Sequence, residues 1–300
     1  MRVRSPLIAT IACGLLATGL AGCGASSDDG GSAQSDPTTS GESTSDGSSS
    51  EIDTGLLDTR VADYKTYLID ESNTMLAATT KFTDAVRAGD VAKAKALFAP
   101  SRYHWETIEP LAGLVASVDG KVDSRVDDFA SVNDPAFSGW HRLEYMLWVD
   151  GKLTPLSTKY ANQLDRDLKP LPGLFEKADV TAKNVANGAA GLIEEVSEGK
   201  ITGEEDRYSH TDLYDLAGNV NGSLRAFQAY EPVLLSVDRP LELKIEQAFL
   251  DAKALLGKYQ HPDGSYGSYL DFKKTDRLRL QALLAGLSED LSSVAGVLNL

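Results

Sequence analysis

The chain has 300 residues, 42% of them hydrophobic, and carries 44 acidic side chains against 29 lysines and arginines, a formal net charge of -15. A surface this acidic repels phosphate backbones and attracts cations, which argues against nucleic acid as a partner and mildly favours metal ions. Its two cysteines, Cys13 and Cys23, both precede the folded part, so no disulfide framework or thiolate metal site is available. The core must be held by packing, which a folded part of about 250 residues is long enough to supply.

Residues 1–22 have the features of a secretory signal: Arg2 and Arg4, an apolar stretch from Leu7 to Leu20 too short to span a bilayer permanently, then small residues. Leu20-Ala21-Gly22-Cys23 resembles the bacterial lipoprotein cleavage box, which implies Cys23 as the lipidated first residue of the mature chain; a plain signal peptide cut nearby is the alternative. Residues 23–51 are nearly all Gly, Ser, Thr, Asp, Glu, Ala and Gln, and cannot bury enough apolar surface to offset the entropy of ordering. A coil of about 28 residues reaches ~30 Å, so residues 52–300 are expected to float just off a membrane surface as an anchored helical domain.

From Leu56 onward apolar residues recur at three and four spacing (Leu56, Leu57, Val61, Tyr64, Leu68, Met75, Leu76, Phe82, Val86), predicting a long first helix, and no alternating strand pattern appears. Gly89-Asp90 closes it and caps a second helix from Val91, with breaks or kinks expected at Pro100 and Pro110. Asp134-Pro135 offers a cap and first-turn proline for the helix carrying His141. Lys169-Pro170-Leu171-Pro172-Gly173 is the strongest internal punctuation. After it helices are predicted near 179–199, 209–235, 239–259 and 275–298, the last with a stripe of Leu278, Leu280, Leu283, Leu284, Leu287, Leu291, Val294 and Leu298. The turn-rich stretch 262–267 reads as an exposed loop. Long amphipathic helices joined by short polar turns predict an all-α protein of two packed bundles, divided near residue 172.

His141 and Glu144 stand three apart inside a strongly apolar helical run, so imidazole and carboxylate share one face and can grip one cation. The same spacing also gives an ordinary exposed ion pair. Glu106 and Glu109 repeat the spacing and fit either a metal pair or a solvated helix surface. Asp123, Asp127 and Asp128 fit ligands or loop charges; Thr202 with Glu205, and Ser209 with Asp212, also fit capping boxes that need no ligand.

Three blocks together change this balance: Tyr103-His104-Trp105-Glu106 with Ile108-Glu109-Pro110, Gly139-Trp140-His141-Arg142-Leu143-Glu144 with Leu147-Trp148, and Ile201 through Leu213. With them the chain resembles the imelysin-like family, and within it the iron-uptake lipoprotein subgroup of the Efe system. The resemblance covers about residues 56–298. It implies two four-helix bundles and iron binding outside the cell membrane. The metal ligands it implies are His141, Glu144, Glu106, Glu109, Asp123 and Glu205, with Asp127 and Glu204 competing for the last two positions. It also implies a membrane iron permease and a peroxidase-like component as partners. The tether runs straight into the helical domain, without the cupredoxin-like domain of longer members, which points to the short form.

One imidazole with several carboxylates and no sulfur suits Fe(II), Fe(III), Mn or Zn; copper or zinc binding in vitro is also expected. Two other functions fit less well. A metallopeptidase of the imelysin type needs a second histidine near His141, and none adjoins it in sequence. An acidic polysaccharide-binding module would need Trp105, Trp140, Tyr208 and Tyr214 to form a stacking wall around a cleft.

Overall fold

A computed structural model describes residues 52–300; the predicted signal peptide, the Cys23 anchor and the tether through residue 51 lie outside the described residues. The first helix, α1 (Thr54–Arg87), starts where the Asp53 side chain accepts the Leu56 N–H and buries Leu57, Val61, Tyr64, Leu68, Met75, Phe82 and Val86 of the predicted stripe, with Leu56 exposed and Leu76 half-buried. Asp90 likewise accepts the Lys93 N–H to start α2 (Val91–Ile108). Pro100 does not end this helix. Its missing N–H costs one ladder bond, but the buried residues on either side, Phe98, Ala99, Ser101 and Arg102, keep the segment packed. The break falls at Pro110, in a 3-10 turn over Glu109–Val115.

Three shorter helices follow: α3 (Ala116–Val122), α4 (Gly139–Trp148) and α5 (Pro155–Leu168). The Asp134-Pro135 pair does not begin α4, because the Asp134 carboxylate accepts the Ala136 N–H in a local turn three residues before the helix opens at Gly139. Next come α6 (Leu171–Lys177), α7 (Ala182–Glu198), α8 (Asp212–Val237), α9 (Arg239–Leu256) and α10 (Lys274–Val297). Among the described residues there is one isolated β-bridge, Gln260 with Tyr266, and no strand.

The helices form two bundles. In one, α1 packs on α2, α5 and α6 while α4 rests on α2 and α5; in the other, α7, α8, α9 and α10 close a ring. The final helix buries Leu280, Leu284, Leu287, Leu291 and Val294 there, and leaves Leu278 exposed. Helix α8 serves both bundles, since it also packs on α1 and α2. At Gly222 a side chain would place its Cβ 2.2 Å from the Thr107 carbonyl oxygen, so only glycine lets α8 approach α2 this closely. The face of α8 turned to that contact is polar although buried, with Asp212, Asp215, Asn219 and Ser223. No described helix is long and apolar enough to cross a membrane.

Candidate metal centre

Four segments bring their acids to one point. Helix α2 supplies Arg102 and Glu106, with Glu109 just past its end; Asp123 follows α3; His141 and Glu144 lie on α4; Glu205 and Asp206 lie on the turn before α8. Gly139 sets the meeting of α3 and α4. Its φ is +80°, and a Cβ there would fall 2.1 Å from the Val122 carbonyl oxygen, so a glycine lets α4 start directly against the residue preceding Asp123.

His141 is buried, and both ring nitrogens face carboxylates. Its Nε2 stands 3.6 Å from Asp123 Oδ1 and 3.6 Å from Glu205 Oε1, and it makes no hydrogen bond. These separations are too long for hydrogen bonds. They match the spacing of two ligand atoms around a shared cation, about 3.4 Å for tetrahedral bonds of about 2.1 Å. The three ligand atoms lie within 4.8 Å of one another, as do those of a second group, His141, Glu144 and Asp206. On that other side Nδ1 is 3.2 Å from Glu144 Oε2 and 3.8 Å from Asp206 Oδ1. Glu144 is itself fixed, because its Oε1 accepts the backbone N–H groups of Tyr208 (2.9 Å) and Ser209 (2.8 Å) and the Ser209 hydroxyl (2.9 Å). A carboxylate that holds the non-ligating nitrogen sets the ring's orientation and tautomer.

Behind this group lies a fully buried guanidinium. Arg102 donates to Asp123 and Glu106, and its Nε stands 3.5 Å from Asp206 Oδ1 and 3.6 Å from Asp215 Oδ1. The Trp105 indole N–H donates to the other oxygen of Asp123 at 2.9 Å. Deeper along α2 the pair Glu106 and Glu109 meets the buried ammonium of Lys200, whose Nζ is 3.0 Å from Glu106 Oε2 and 2.7 Å from each oxygen of Glu109. Asn219 of α8 donates to both carboxylates as well.

These contacts set the protonation of the metal-free protein. Burial and Arg102 push the His141 pKa down, but the carboxylates of Asp123, Glu144 and Glu205 outweigh them and hold it well above its ordinary value. The ring is therefore imidazolium near neutral pH and stands in for part of a cation's charge. Burial raises Asp123, yet Arg102 and then His141 hold it far below the usual carboxylate range; Glu205 is lowered to about 2, with burial opposed by Lys200 and His141. Burial pushes Asp206 up to about 8 against the pull of Arg102, with Glu144 and Asp212 adding to the rise.

A cavity of about 340 Å³ leads to Asp123 and Glu205, and Glu109, Asp119, Asp128 and Glu195 also line it, with Arg125 and Lys200 as its two cations. A cation entering here meets the Nε2 side of the histidine first.

Of the six predicted ligands, the structure gathers Asp123, His141 and Glu205 around one point and puts Glu144 on the far side of the ring. Glu106 and Glu109 are held by Lys200 instead. The competitors Glu204 and Asp127 are surface groups, 52% and 62% exposed, paired with Arg125 and Arg207. Neither capping box forms as the sequence suggests: Glu205 faces His141, Ser209 bonds Glu144, and Thr211 is the residue before α8. The aromatic wall is absent too. Trp105 and Trp140 are fully buried, with ring centres 6.2 Å apart, while Tyr214 lines a separate cavity. Sequence reasoning missed Arg102, Lys200, Asp206 and Asn219; Asp206 alone carried a signal, as the third acid of the Glu204-Glu205-Asp206 run.

Comparison with known proteins agrees with this architecture. Residues 60–294 match the family model described as imelysin. Over 241 residues, 80% of its length, the chain is 42% identical to the iron uptake system component EfeO of Escherichia coli O1:K1, and equally to that of Yersinia pestis. It spans 64% of the length of these relatives. In fold it is similar to the crystal structure of an imelysin-like protein from Psychrobacter arcticum 273-4, with a TM-score of 0.62 at 13% identity, covering 83% of this chain and 98% of that one. An all-helical pair of bundles, matched by this family model over most of its length, makes the chain a member of the imelysin family.

Proposed function

We propose that this protein is a metal-binding transport component rather than an enzyme, and that it captures iron outside the cytoplasmic membrane for a membrane iron permease. The observation that carries the reading is the spacing of His141 Nε2, Asp123 Oδ1 and Glu205 Oε1, which fits ligands around a cation and not hydrogen-bonded partners. One imidazole and two carboxylates form a hard to borderline donor set suited to Fe(II) or Fe(III), with Zn or Cu taken up in vitro. Glu144 positions the imidazole. Each candidate group holds a single histidine, which gives a peptidase-type zinc site no support.

The 42% identity to iron uptake system components supports the choice of iron as cargo. A permease and a peroxidase-like component, which the family resemblance implies, are the proposed partners. Lipidation at Cys23, with the tether to residue 51, would hold the domain at the outer face of the membrane. Isothermal titration of the purified chain with Fe(II) under nitrogen tests the reading. One equivalent bound at micromolar affinity or better is expected, and loss of that binding in His141→Ala; a chain that takes up neither iron nor any divalent ion contradicts it.

A further inference from the structure

The face of α2 opposite Arg102 borders a cavity of its own. Pro100 and His104 stand two residues either side of Arg102, a little over half a helical turn from it, and there they line a space of about 500 Å³ that α8 and the loop at 260–267 complete. Three tyrosines from three segments line it: Tyr103 of α2, Tyr214 of α8 and Tyr266 of the loop. The rings of Tyr214 and Tyr266 meet edge to face, 5.3 Å apart at 71°, so two walls stand at near right angles. The loop is pinned to present its ring, because Gln260 and Tyr266 form the isolated β-bridge and the His261 N–H donates to the Ser265 carbonyl at 2.7 Å. Tyr103 is fixed as well, its hydroxyl accepting from Asn221 of α8 at 2.9 Å.

The chemistry of this wall selects among ligands. Among the described residues no lysine or arginine lines the cavity, whereas Asp263 does, and the chain carries -15 overall, so an anion is repelled. A bare metal ion is poorly served. Burial raises the pKa of Tyr103 and Tyr266 and keeps both phenols neutral, and among the described residues neither group of three potential metal ligands includes these side chains. A wholly apolar molecule would strand the Asn221, Gln260 and Ser265 side chains away from water. An organic cation meets none of these objections: aromatic faces attract it through their quadrupoles, and a carboxylate at the rim supplies the opposite charge. A quaternary ammonium fits best, because its charge is spread over methyl groups that water cannot hydrogen-bond.

We propose that this cavity is a second binding site, for the quaternary ammonium group of a small organic molecule, held among Tyr103, Tyr214 and Tyr266 with Asp263 at its rim. It differs from the metal centre in place and in chemistry. Carboxylates and an imidazole hold a bare ion at His141, while ring faces hold a cation whose charge is carried on carbon-bound groups. Neither site requires the other, so this one stands apart from the metal-binding reading above.

Titration of the full chain, followed by the NMR signals of labelled tyrosine rings, tests the proposal with three probes: choline, its uncharged isostere in which a quaternary carbon replaces the nitrogen, and maltose. Choline is expected to bind with millimolar affinity or better, at least about tenfold more tightly than the isostere. Tyr266→Ala should weaken choline binding about fivefold or more, whereas Tyr266→Phe keeps the ring face and should stay within about twofold of wild type. Asp263→Asn should weaken choline and leave the isostere unchanged. If circular dichroism shows Tyr266→Ala misfolded, Tyr214→Ala and Asp263→Asn give the same readout. An isostere that binds as tightly as choline overturns the proposal, because the cavity is then merely apolar. Binding of maltose without choline also overturns it in favour of a sugar site, and binding of none of the three leaves no ligand site there at all.

Discussion

Two carboxylate pairs flank the buried guanidinium of Arg102, and their hydrogen bonding differs. Glu106 and Glu109 are satisfied: Lys200 and Asn219 supply donors at 2.7 to 3.0 Å. At the other end the unsatisfied atom is the histidine's: Asp123 accepts from Arg102 and Trp105 and Glu205 from Arg125, but His141 Nε2, 3.6 Å from each acid, makes no hydrogen bond. A buried polar network that closes on itself acts as structure, whereas one that leaves donors and acceptors at ligand spacing is completed by something from outside. The same residue types thus hold the fold at one end of the cluster and await a cation at the other.

The largest effect should come from removing the group that both pairs share. Arg102→Met strands the buried carboxylates of Asp123 and Glu106 and is expected to cost about 3 to 5 kcal/mol of stability, measured by urea denaturation of the metal-free chain; a loss below about 1 kcal/mol would mean that the acids find other partners or water. His141→Ala should spare most of the fold and weaken iron binding by more than about 100-fold, beyond what loss of an outer-shell contact produces. Glu144→Gln removes only the group that orients the ring, so a loss of about 10- to 100-fold is expected. If Glu144→Gln proves as damaging as His141→Ala, the carboxylate is a ligand and not a brace.

Acid should act through the same ring. The His141 pKa is raised in the metal-free protein, so below that value a cation must displace a proton, and apparent affinity should fall about tenfold for each unit that pH drops. Titrations in two buffers of different ionisation enthalpy would count the proton released; a count of zero contradicts an imidazolium in the empty site. The smallest effect belongs to the surface acids. Glu204→Gln and Asp127→Asn break exposed pairs, and affinity should stay within about twofold of wild type.

The helical fold was legible because periodicity reports burial directly, and most of the stripes of α1 and α10 is buried, with Leu56 and Leu278 exposed and Leu76 and Leu283 half-buried. Pro100 does not break α2, because a single missing hydrogen bond is outweighed by the packing around it. The His141 and Glu144 pair was visible from its spacing, but spacing on one helix cannot say which ring nitrogen faces which acid; that depends on where Asp123 and Glu205 arrive from other segments. Lys200 and Arg102 were hidden for a related reason. A lone basic residue reads as surface in a sequence, and only the five acids that converge on Arg102, with two more around Lys200 counting Glu106 again, explain their burial.

The central claim is that a cation completes the unpartnered His141 Nε2 between Asp123 and Glu205. Anomalous scattering at the iron edge from crystals grown with Fe(II) under nitrogen tests it most directly. The account predicts a peak within bonding distance of His141 Nε2, Asp123 and Glu205; iron bound only at some other place, with the imidazole still hydrogen-bonded to protein alone, would contradict it.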